Sequence, residues 1–419
     1  MACGLNGPVN AVLPVDGAGT PSAALRWTRI LLVVLNQGTQ AMVLGGVALF
    51  LPLMRPELGI TFAEGGGLAA ACTLTYAIMQ IPAGSLADRF RPKRVFDLGL
   101  VGIVVLLLVF CLETDFTLMV VTMGAIGFFR SLMFASGMQL MTAQFPDDRR
   151  ALASGLYVAG GFSANIFLSV LGPLLVGPLG WRLTFAIFVA VAGVLLLLHL
   201  AIGHPGPTRA RQRALFPPGV GRVFASAALW ICCWVQFVRF AVANAITLWT
   251  PSFLVDEKGL TLDAAGWIIA IGAGLTALSN VYGGLVSDIL RRPTTVVLAA
   301  VVVLAITLAL IPVAPMWAVI VLVLVQAAFI QVYFGPLFEI PLLFVGRDFA
   351  GLATGIGNMF ANLGALVSSI ALGAVMDATG TFALGFQGLA VLCVTAILAS
   401  LVLVRMDARR RAALTAPVP

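Results

Sequence analysis

The chain has 419 residues, of which 61% are hydrophobic and only 10% charged, and its mean hydropathy is +1.07. Soluble domains carry about 25% charged residues, so this composition excludes a soluble enzyme, a disordered chain and a disulfide scaffold. The formal net charge of +7 does not indicate nucleic-acid binding, because the sequence has no Lys/Arg-rich face with interleaved aromatic residues.

Long apolar runs recur along the whole sequence. Each is about 20 residues or longer, the length that an α-helix needs to cross about 30 Å of hydrocarbon. The strands of an outer-membrane barrel would instead alternate polar and apolar residues over about ten positions, so a barrel is excluded. We predict an all-α integral membrane protein with twelve transmembrane helices, at 29–52, 64–87, 94–112, 116–142, 151–177, 182–202, 222–250, 262–288, 294–313, 315–344, 350–376 and 382–404.

The predicted helices divide the chain into two six-helix bundles, 26–202 and 222–404, joined by a central loop at 203–221. Residues 1–25 lack a basic start and a long apolar core, which indicates a mobile tail and not a signal peptide; residues 405–419 form a second tail. Of the 24 Lys and Arg residues, nineteen fall on one side of the predicted membrane and three on the other. This bias places both termini and the central loop in the cytoplasm.

The two bundles are internal repeats that align when 200 is added to a residue number. Six helices separate equivalent points, so the repeats are parallel and are related by an axis along the membrane normal. This arrangement predicts a substrate site between the halves, near the midplane of the membrane. Matching pairs include Glu57 with Glu257, Gly59 with Gly259, Thr61 with Thr261, Asp88 with Asp288, Asp148 with Asp348, Gly155 with Gly355, and Gly180 with Gly380.

Several segments resemble signatures of the major facilitator superfamily. The run from Gly84 to Arg94, GSLADRFRPKR, is similar to the family's loop motif after helix 2, G-x-L-a-D-r-x-G-r-r/k, with Arg91 in place of the second Gly. A degraded second copy begins at Gly284. Gly180-Trp181-Arg182 resembles the family's entry to helix 6, and Trp249-Thr-Pro251 its exit from helix 7.

The resemblance covers residues 26–404 and implies a secondary transporter that works by alternating access. It also implies that Asp88, with Gly84 and Arg89, forms a latch that closes the cytoplasmic side, and that Gly284 and Asp288 serve the other half. From the residues alone, a carboxylate among basic residues can pair with Arg or with a helix N-terminus, or it can be a solvated turn charge.

Two arginines lie deep inside predicted helices, Arg130 in helix 4 and Arg239 in helix 7. A central Arg costs about 2.5–3.5 kcal/mol on insertion scales, so each should face protein or a water-filled cavity. Only one acid, Glu339, is comparably deep, which leaves positive charge that an anionic ligand would compensate. Arg holds a carboxylate or phosphate by two hydrogen bonds. The alternative is an internal ion pair or a contact with a helix terminus.

Other polar side chains stand at helical spacing within the predicted spans. Each can either contact a ligand or bond another helix. In the family that the sequence resembles, helices 1, 4, 7 and 10 line the cavity, which favours ligand contact for the candidates in those helices over the two in helix 11. The candidates are Asn36 and Gln40 in helix 1, Gln236 in helix 7, Tyr333 in helix 10, and Asn358 and Asn362 in helix 11.

Glu339 is the candidate for proton coupling. Desolvation inside a span favours the protonated form, so this carboxyl group could load and release a proton. Two alternatives stay open: Glu339 pairs with Arg130 or Arg347, or it faces cytoplasmic water.

The sequence predicts no metal or cofactor. No CxxC occurs, and His199 and His204 have no cysteine or carboxylate at ligand spacing. No nucleotide-binding motif is present, which argues against ATP-driven pumping. A receptor or a membrane enzyme would need a signalling domain or a catalytic Ser/His/Asp set, and the sequence has neither.

We therefore expect a monomeric secondary transporter, not an enzyme, in a bacterial-type inner membrane. The favoured activity is proton-linked uptake of a small organic anion, with a carboxylate first among the candidates. The alternative is proton-driven efflux of a drug or metabolite.

Overall fold

The computed structural model describes residues 22–145, 150–204, 221–290, 292–333, 337, 340, 343–344 and 350–415. At some positions in these ranges it describes the backbone alone: 81, 84–85, 87–89, 150–152, 154–155, 162, 222, 280–281, 284–285, 288, 350–352, 354 and 413–415. The regular structure of this part of the chain is entirely helical. The helices are α1 (Ala23–Leu58), α2 (Phe62–Arg89), α3 (Pro92–Leu112), α4 (Phe116–Thr142), α5 (Arg150–Ile202), α6 (Gly221–Phe224), α7 (Ala227–Ser252, continued by a π-turn at Phe253–Glu257), α8 (Leu262–Leu290), α9 (Pro293–Leu310), α10 (Met316–Phe329), α11 (Ala350–Thr379) and α12 (Ala383–Thr415).

Nine helical stretches in the described residues are long and apolar enough to cross a membrane. The stretch in α5, Leu156–Ile202, counts once, although it contains a break at Gly180, where φ is 70° and ψ is 165°. Along the first arm of α5, Gly160 packs on Val34 and Gly172 packs on Leu49, so residue numbers rise together with those of α1. Along the second arm, Phe185 packs on Gly46 and the Leu195 carbonyl accepts from Asn36, so they fall as those of α1 rise. The two arms of α5 therefore run in opposite directions beside α1.

The internal repeat is present in the backbone. The described glycines with positive φ form two pairs 200 residues apart, Gly59 with Gly259 (64° and 69°) and Gly180 with Gly380 (70° and 72°). A left-handed backbone favours glycine, because a Cβ atom would be strained there. The same tight turn therefore joins equivalent helices in each half, as the 200-residue offset predicts.

We call the end of the molecule that holds these four turns the upper end, and the end that holds the α2–α3 turn the lower end. Three hydrogen bonds between described residues join the halves, and all three lie at the upper end. Arg55 Nη1 of α1 bonds Asp256 Oδ2 at 2.9 Å. The Asp377 carboxylate, at the end of α11, accepts from the backbone N–H groups of Phe62 and Ala63 at 2.8 and 2.7 Å.

Close helix crossings also bring the halves together near the upper end. A Cβ on Gly66 would lie 2.0 Å from the Ser369 carbonyl oxygen, and one on Gly266 would lie 2.3 Å from that of Ser169. Only glycine lets these backbones approach so closely, which is how helices associate in lipid. The crossings join α2 to α11 and α5 to α8.

The helix at the C-terminus is longer than the predicted span 382–404, because α12 continues to Thr415. Ala, Arg and Met are good helix formers, so the helix does not end where the apolar run ends. Asp407 Oδ2 accepts from Arg411 Nε at 2.9 Å, and the Arg410 guanidinium lies 5.8 Å from the Phe344 ring centroid. The segment predicted as a tail from residue 405 is thus helical over most of its length.

Candidate substrate-binding site

Arg130 lies in the middle of α4, and its side chain turns toward α2. It is only 9% exposed. Its Nη1 donates to Cys72 Sγ at 3.2 Å, and its guanidinium carbon lies 5.1 Å from the centroid of the Tyr76 ring. The helices come close because Gly127 faces α2, where a Cβ would lie 2.1 Å from the Cys72 carbonyl oxygen. Cys72 and Tyr76, which the sequence analysis did not single out, are the neighbours of this guanidinium.

Gln40 joins α1 to the same site. Its Nε2 donates to the Arg130 carbonyl oxygen at 3.4 Å, and its buried Oε1 has no hydrogen-bond partner in the described structure. Gln37, another residue that the sequence analysis missed, also has a buried oxygen without a partner. It shares a helical face with Leu44 and Ala48, which pack into the core of the second half. That face therefore points toward the second half.

Arg239 occupies the second half, on α7, and is 3% exposed. Its Nη1 donates to Gln331 Oε1 at 3.1 Å, and its guanidinium carbon lies 5.1 Å from the Phe240 ring centroid and 5.6 Å from that of Tyr333. The structure thus brings two predicted site residues, Arg239 and Tyr333, together. Gln331 follows the end of α10, in a stretch of turns, and sequence reasoning did not find it.

Several buried polar atoms of the second half have no hydrogen-bond partner among the described residues. Among them are both amide atoms of Gln236, both amide atoms of Gln326 and the hydroxyl of Tyr333. A buried polar atom without a partner costs free energy, so such groups call for water or a ligand. Gln236 was predicted as a site residue, whereas Gln326 was not.

The remaining predicted polar residues bond to helices. Asn36 Nδ2 donates to the Leu32 carbonyl oxygen at 2.9 Å and to that of Leu195 in the second arm of α5 at 3.3 Å. Asn362 Nδ2 donates to the Asn358 carbonyl oxygen at 2.8 Å, within α11. Asn36 thus bonds another helical arm as well as its own helix, whereas the described bond of Asn362 lies within its own helix. No described contact joins Arg130 and its neighbours to Arg239 and its neighbours.

The predicted latch and coupling residues lie partly outside the described residues. Gly84, Asp88 and Arg89 belong to α2, and Gly284 and Asp288 to α8, with backbone alone described. Glu339 lies outside the described residues altogether.

A polar cluster at the lower end links α3 to the second arm of α5. His199 Nδ1 lies 2.7 Å from Asp97 Oδ1, and Lys93 Nζ lies 3.2 Å from Asp97 Oδ2 and donates to the Leu200 carbonyl oxygen. Sequence spacing gave no sign of this cluster, because the carboxylate and the histidine are about 100 positions apart. Among the described residues no group of three His, Cys, Asp or Glu side chains could hold a metal ion.

Comparisons with known proteins agree with this architecture. A family model described as "Major Facilitator Superfamily" matches residues 33–369 and, in a second alignment, residues 259–417. A bacterial homologue of the human lysosomal transporter Spinster, solved in an inward-facing, unoccupied conformation, superposes with a TM-score of 0.75. The match covers 92% of this chain and 98% of that one at 15% identity, which establishes likeness of fold alone.

Three sequence relatives have names that state a function. The "Nitrite extrusion protein" of Bacillus subtilis is 25% identical over 75% of this chain and 78% of its own length. The "Probable sulfoacetate transporter SauU" of Cupriavidus necator is 26% identical over 80% and 84%. The "Probable galactarate/D-glucarate transporter GudP" of Escherichia coli is 23% identical over 84% and 87%.

Repeated helical halves, paired upper turns and buried polar groups in each half are typical of a membrane transporter. The chain belongs to the Major Facilitator Superfamily. It is therefore an integral membrane transporter and not an enzyme, and the family membership that the sequence motifs indicated is confirmed.

Proposed function

We propose that the protein is a proton-linked importer of a small organic anion, most consistent with a carboxylate, in a bacterial-type inner membrane. The observation that carries the proposal is the pair of buried guanidinium groups, one in each half. Arg130 has no carboxylate within ion-pair distance in the described part of the chain. A buried charge without an acid favours an anionic ligand, and Arg binds carboxylates by a planar pair of donors.

The repeat supports similar depths for the two guanidiniums. Arg239 corresponds to Thr39 at the 200-residue offset, and Thr39 precedes Gln40, whose side chain bonds the Arg130 backbone. With the repeat axis along the membrane normal, equivalent residues lie at equal depth. An anion between the halves would then meet one arginine from each.

The relatives support the same substrate class. The substrates in their names are nitrite, sulfoacetate, galactarate and D-glucarate, all of which are anions. Galactarate, glucarate and sulfoacetate are organic acids, and we extend that class to this chain. The first relative exports its substrate, so efflux of a small anion is the second candidate.

We further propose twelve crossings, with the lower end and both termini in the cytoplasm. The two arms of α5 run in opposite directions, so each supplies one crossing. A helix of 53 residues would be about 80 Å long if it were straight, more than twice the thickness of the hydrocarbon. The excess of Lys and Arg at the lower end supports the orientation. The protein is proposed to work as a monomer.

Transport into liposomes tests the proposal. Purified protein would be offered sulfoacetate, glucarate, galactarate, nitrite and a cation of similar size, with and without an inward proton gradient. We expect saturable uptake of at least one organic anion, increased by the gradient. Uptake of the cation alone would refute anion recognition, and uptake that ignores the gradient would refute proton coupling.

A further inference from the structure

The neighbours of the Arg130 guanidinium are neutral. Cys72 and Tyr76 stand four residues apart on α2, so they lie on the same face, one turn above the other. The thiol accepts a hydrogen bond from Nη1 at 3.2 Å, and the phenol ring presents its face at 5.1 Å. Neither group carries a charge that would cancel that of the arginine.

Both contacts hold the guanidinium weakly. A thiol sulfur is a weak acceptor, and an aromatic ring attracts a cation through its quadrupole alone. The Nε–H of Arg130 is buried and has no hydrogen-bond partner in the described structure. The guanidinium has five N–H donors, and the described contacts use one of them. These contacts favour one orientation of the guanidinium but leave its charge uncompensated and four of its five N–H donors without a described partner.

We propose that Cys72 and Tyr76 are positioning residues: a neutral cradle that orients Arg130 and leaves its charge for the anionic group of the substrate. The proposal rests on the proposed anion transport and adds the residue that sets charge selectivity, position 72. A carboxylate there would form an ion pair with Arg130. The site would then be neutral before any substrate arrived.

The cradle also depends on the α2–α4 crossing. Gly127 lets α4 approach the Cys72 carbonyl, and Thr75 Oγ1 donates across the same crossing to the Gly124 carbonyl oxygen at 2.6 Å. These contacts fix the spacing between the two helices within one half. The distance from Arg130 to the cradle should therefore persist while the halves move relative to each other.

The test compares Cys72→Asp with Cys72→Asn, which has nearly the same shape and no charge. Uptake of glucarate and of sulfoacetate by liposomes gives KM and kcat, and thermal unfolding in detergent gives Tm. We expect Cys72→Asp to raise KM by about tenfold or more, because a competing ion pair occupies the arginine. The Asn variant should raise KM clearly less than Cys72→Asp does, since the arginine keeps its charge and loses only the thiol contact.

The stability measurement separates a positioning role from a structural one. The new ion pair should hold the Tm of Cys72→Asp at or above that of Cys72→Asn while its affinity falls. A merely structural role would lower Tm and affinity together. If the Asp variant does not fold, Tyr76→Leu and Tyr76→Phe decide, because only the first removes the ring and should raise KM.

The outcomes are distinguishable. Wild-type protein that takes up none of the anions refutes the proposed function and the cradle with it. If the wild type takes up an anion and Cys72→Asp has an unchanged KM, the cradle is refuted and anion transport still holds. The same conclusion follows if the Asp variant is unfolded and Tyr76→Leu and Tyr76→Phe have equal KM values.

Discussion

Glu57 and Glu257, 200 residues apart, hold equivalent points of the two halves with different donors. Glu57 accepts from Trp181 Nε1 at 2.6 Å and from Arg182 Nε at 2.8 Å, just after the turn at Gly180. Glu257 accepts from Thr381 Oγ1 at 3.0 Å and from the Phe382 backbone N–H at 2.7 Å. Glu57 joins the upper end of α1 to the start of the second arm of α5, and Glu257 joins the upper end of α7 to the start of α12.

We expect Glu257→Gln to lower the free energy of unfolding by about 1–2 kcal/mol, because it weakens charge-assisted bonds to a helix start. Glu57→Gln should cost less, since its side chain is 46% exposed and water competes for it. Thermal unfolding in detergent measures both. Glu113→Gln, whose carboxylate makes no described hydrogen bond, is the control and should change little. Equal losses in all three variants would show that the hydrogen bonds of Glu57 and Glu257 do not stabilise the fold.

The turn at Gly180 requires glycine. Its φ of 70° and ψ of 165° lie in a region that other residues essentially do not adopt. Nothing lies within 4 Å of a Cβ built there, so Gly180→Ala tests backbone strain without a clash. We expect a loss of about 1–3 kcal/mol in unfolding free energy. Gly177→Ala, equally open but without a positive φ, should be neutral or slightly stabilising; similar losses in both would exclude strain as the cause.

Asp377 should hold the upper end closed, because its carboxylate caps the N-terminus of a helix in the other half. Spin labels at the exposed positions Leu112 and Leu384 would report the separation of the halves. Asp377→Asn should shift the distance distribution toward longer values. Asp115→Asn makes the same change of charge at a similar cap, on Leu118 within one half, and should leave the distribution unchanged.

The same measurement applies to the second bond between the halves, Arg55 to Asp256. Asp256→Asn should lengthen the distances in the same direction as Asp377→Asn. If neither variant moves the distribution, the upper contacts do not control closure.

Arg130→Lys and Arg239→Lys keep the charge but lose the planar pair of donors. We expect each to raise the apparent KM for an organic anion by about tenfold or more in liposome uptake. Arg405→Lys, at an exposed position on α12, is the matched control. Normal KM values in both buried variants would remove the guanidinium groups from substrate recognition.

Glu339→Gln tests proton coupling. The variant should exchange substrate across the membrane but should not accumulate it when a proton gradient is imposed, because the amide cannot load a proton. Counterflow and gradient-driven uptake measure the two activities separately. Full accumulation by the Gln variant would assign coupling to another group.

The pairs Glu57/Glu257 and Gly180/Gly380 could be predicted because they repeat at a fixed offset and include residues with special backbone geometry. The buried arginines could also be predicted, since a charge in the middle of a long apolar run has few tolerated environments. Both signals can be read from the sequence alone and require no knowledge of which helices are neighbours.

The partners of those arginines could not be predicted in the same way. In a soluble helix the polar face marks the outside, but lipid-facing and core-facing positions are both apolar in a membrane helix. Nothing in the pattern of α2 therefore showed that Cys72 and Tyr76 face α4, or that Asn36 of α1 turns toward Leu195. The close helix crossings at glycine residues determine which way these side chains face. The helices that meet at each crossing are far apart in the sequence.

The continuation of α12 to Thr415 gives the molecule a rigid handle. Its 33 residues span about 50 Å, roughly 20 Å more than the hydrocarbon layer. A helical fiducial domain fused in register after Thr415 would share that helix and move with the second half. Each residue inserted at the junction turns the fused domain by about 100° and advances it about 1.5 Å, so a short series of fusions can choose its orientation. A transporter of 43.8 kDa, with little mass outside a detergent micelle, would then carry an alignment marker for electron cryomicroscopy.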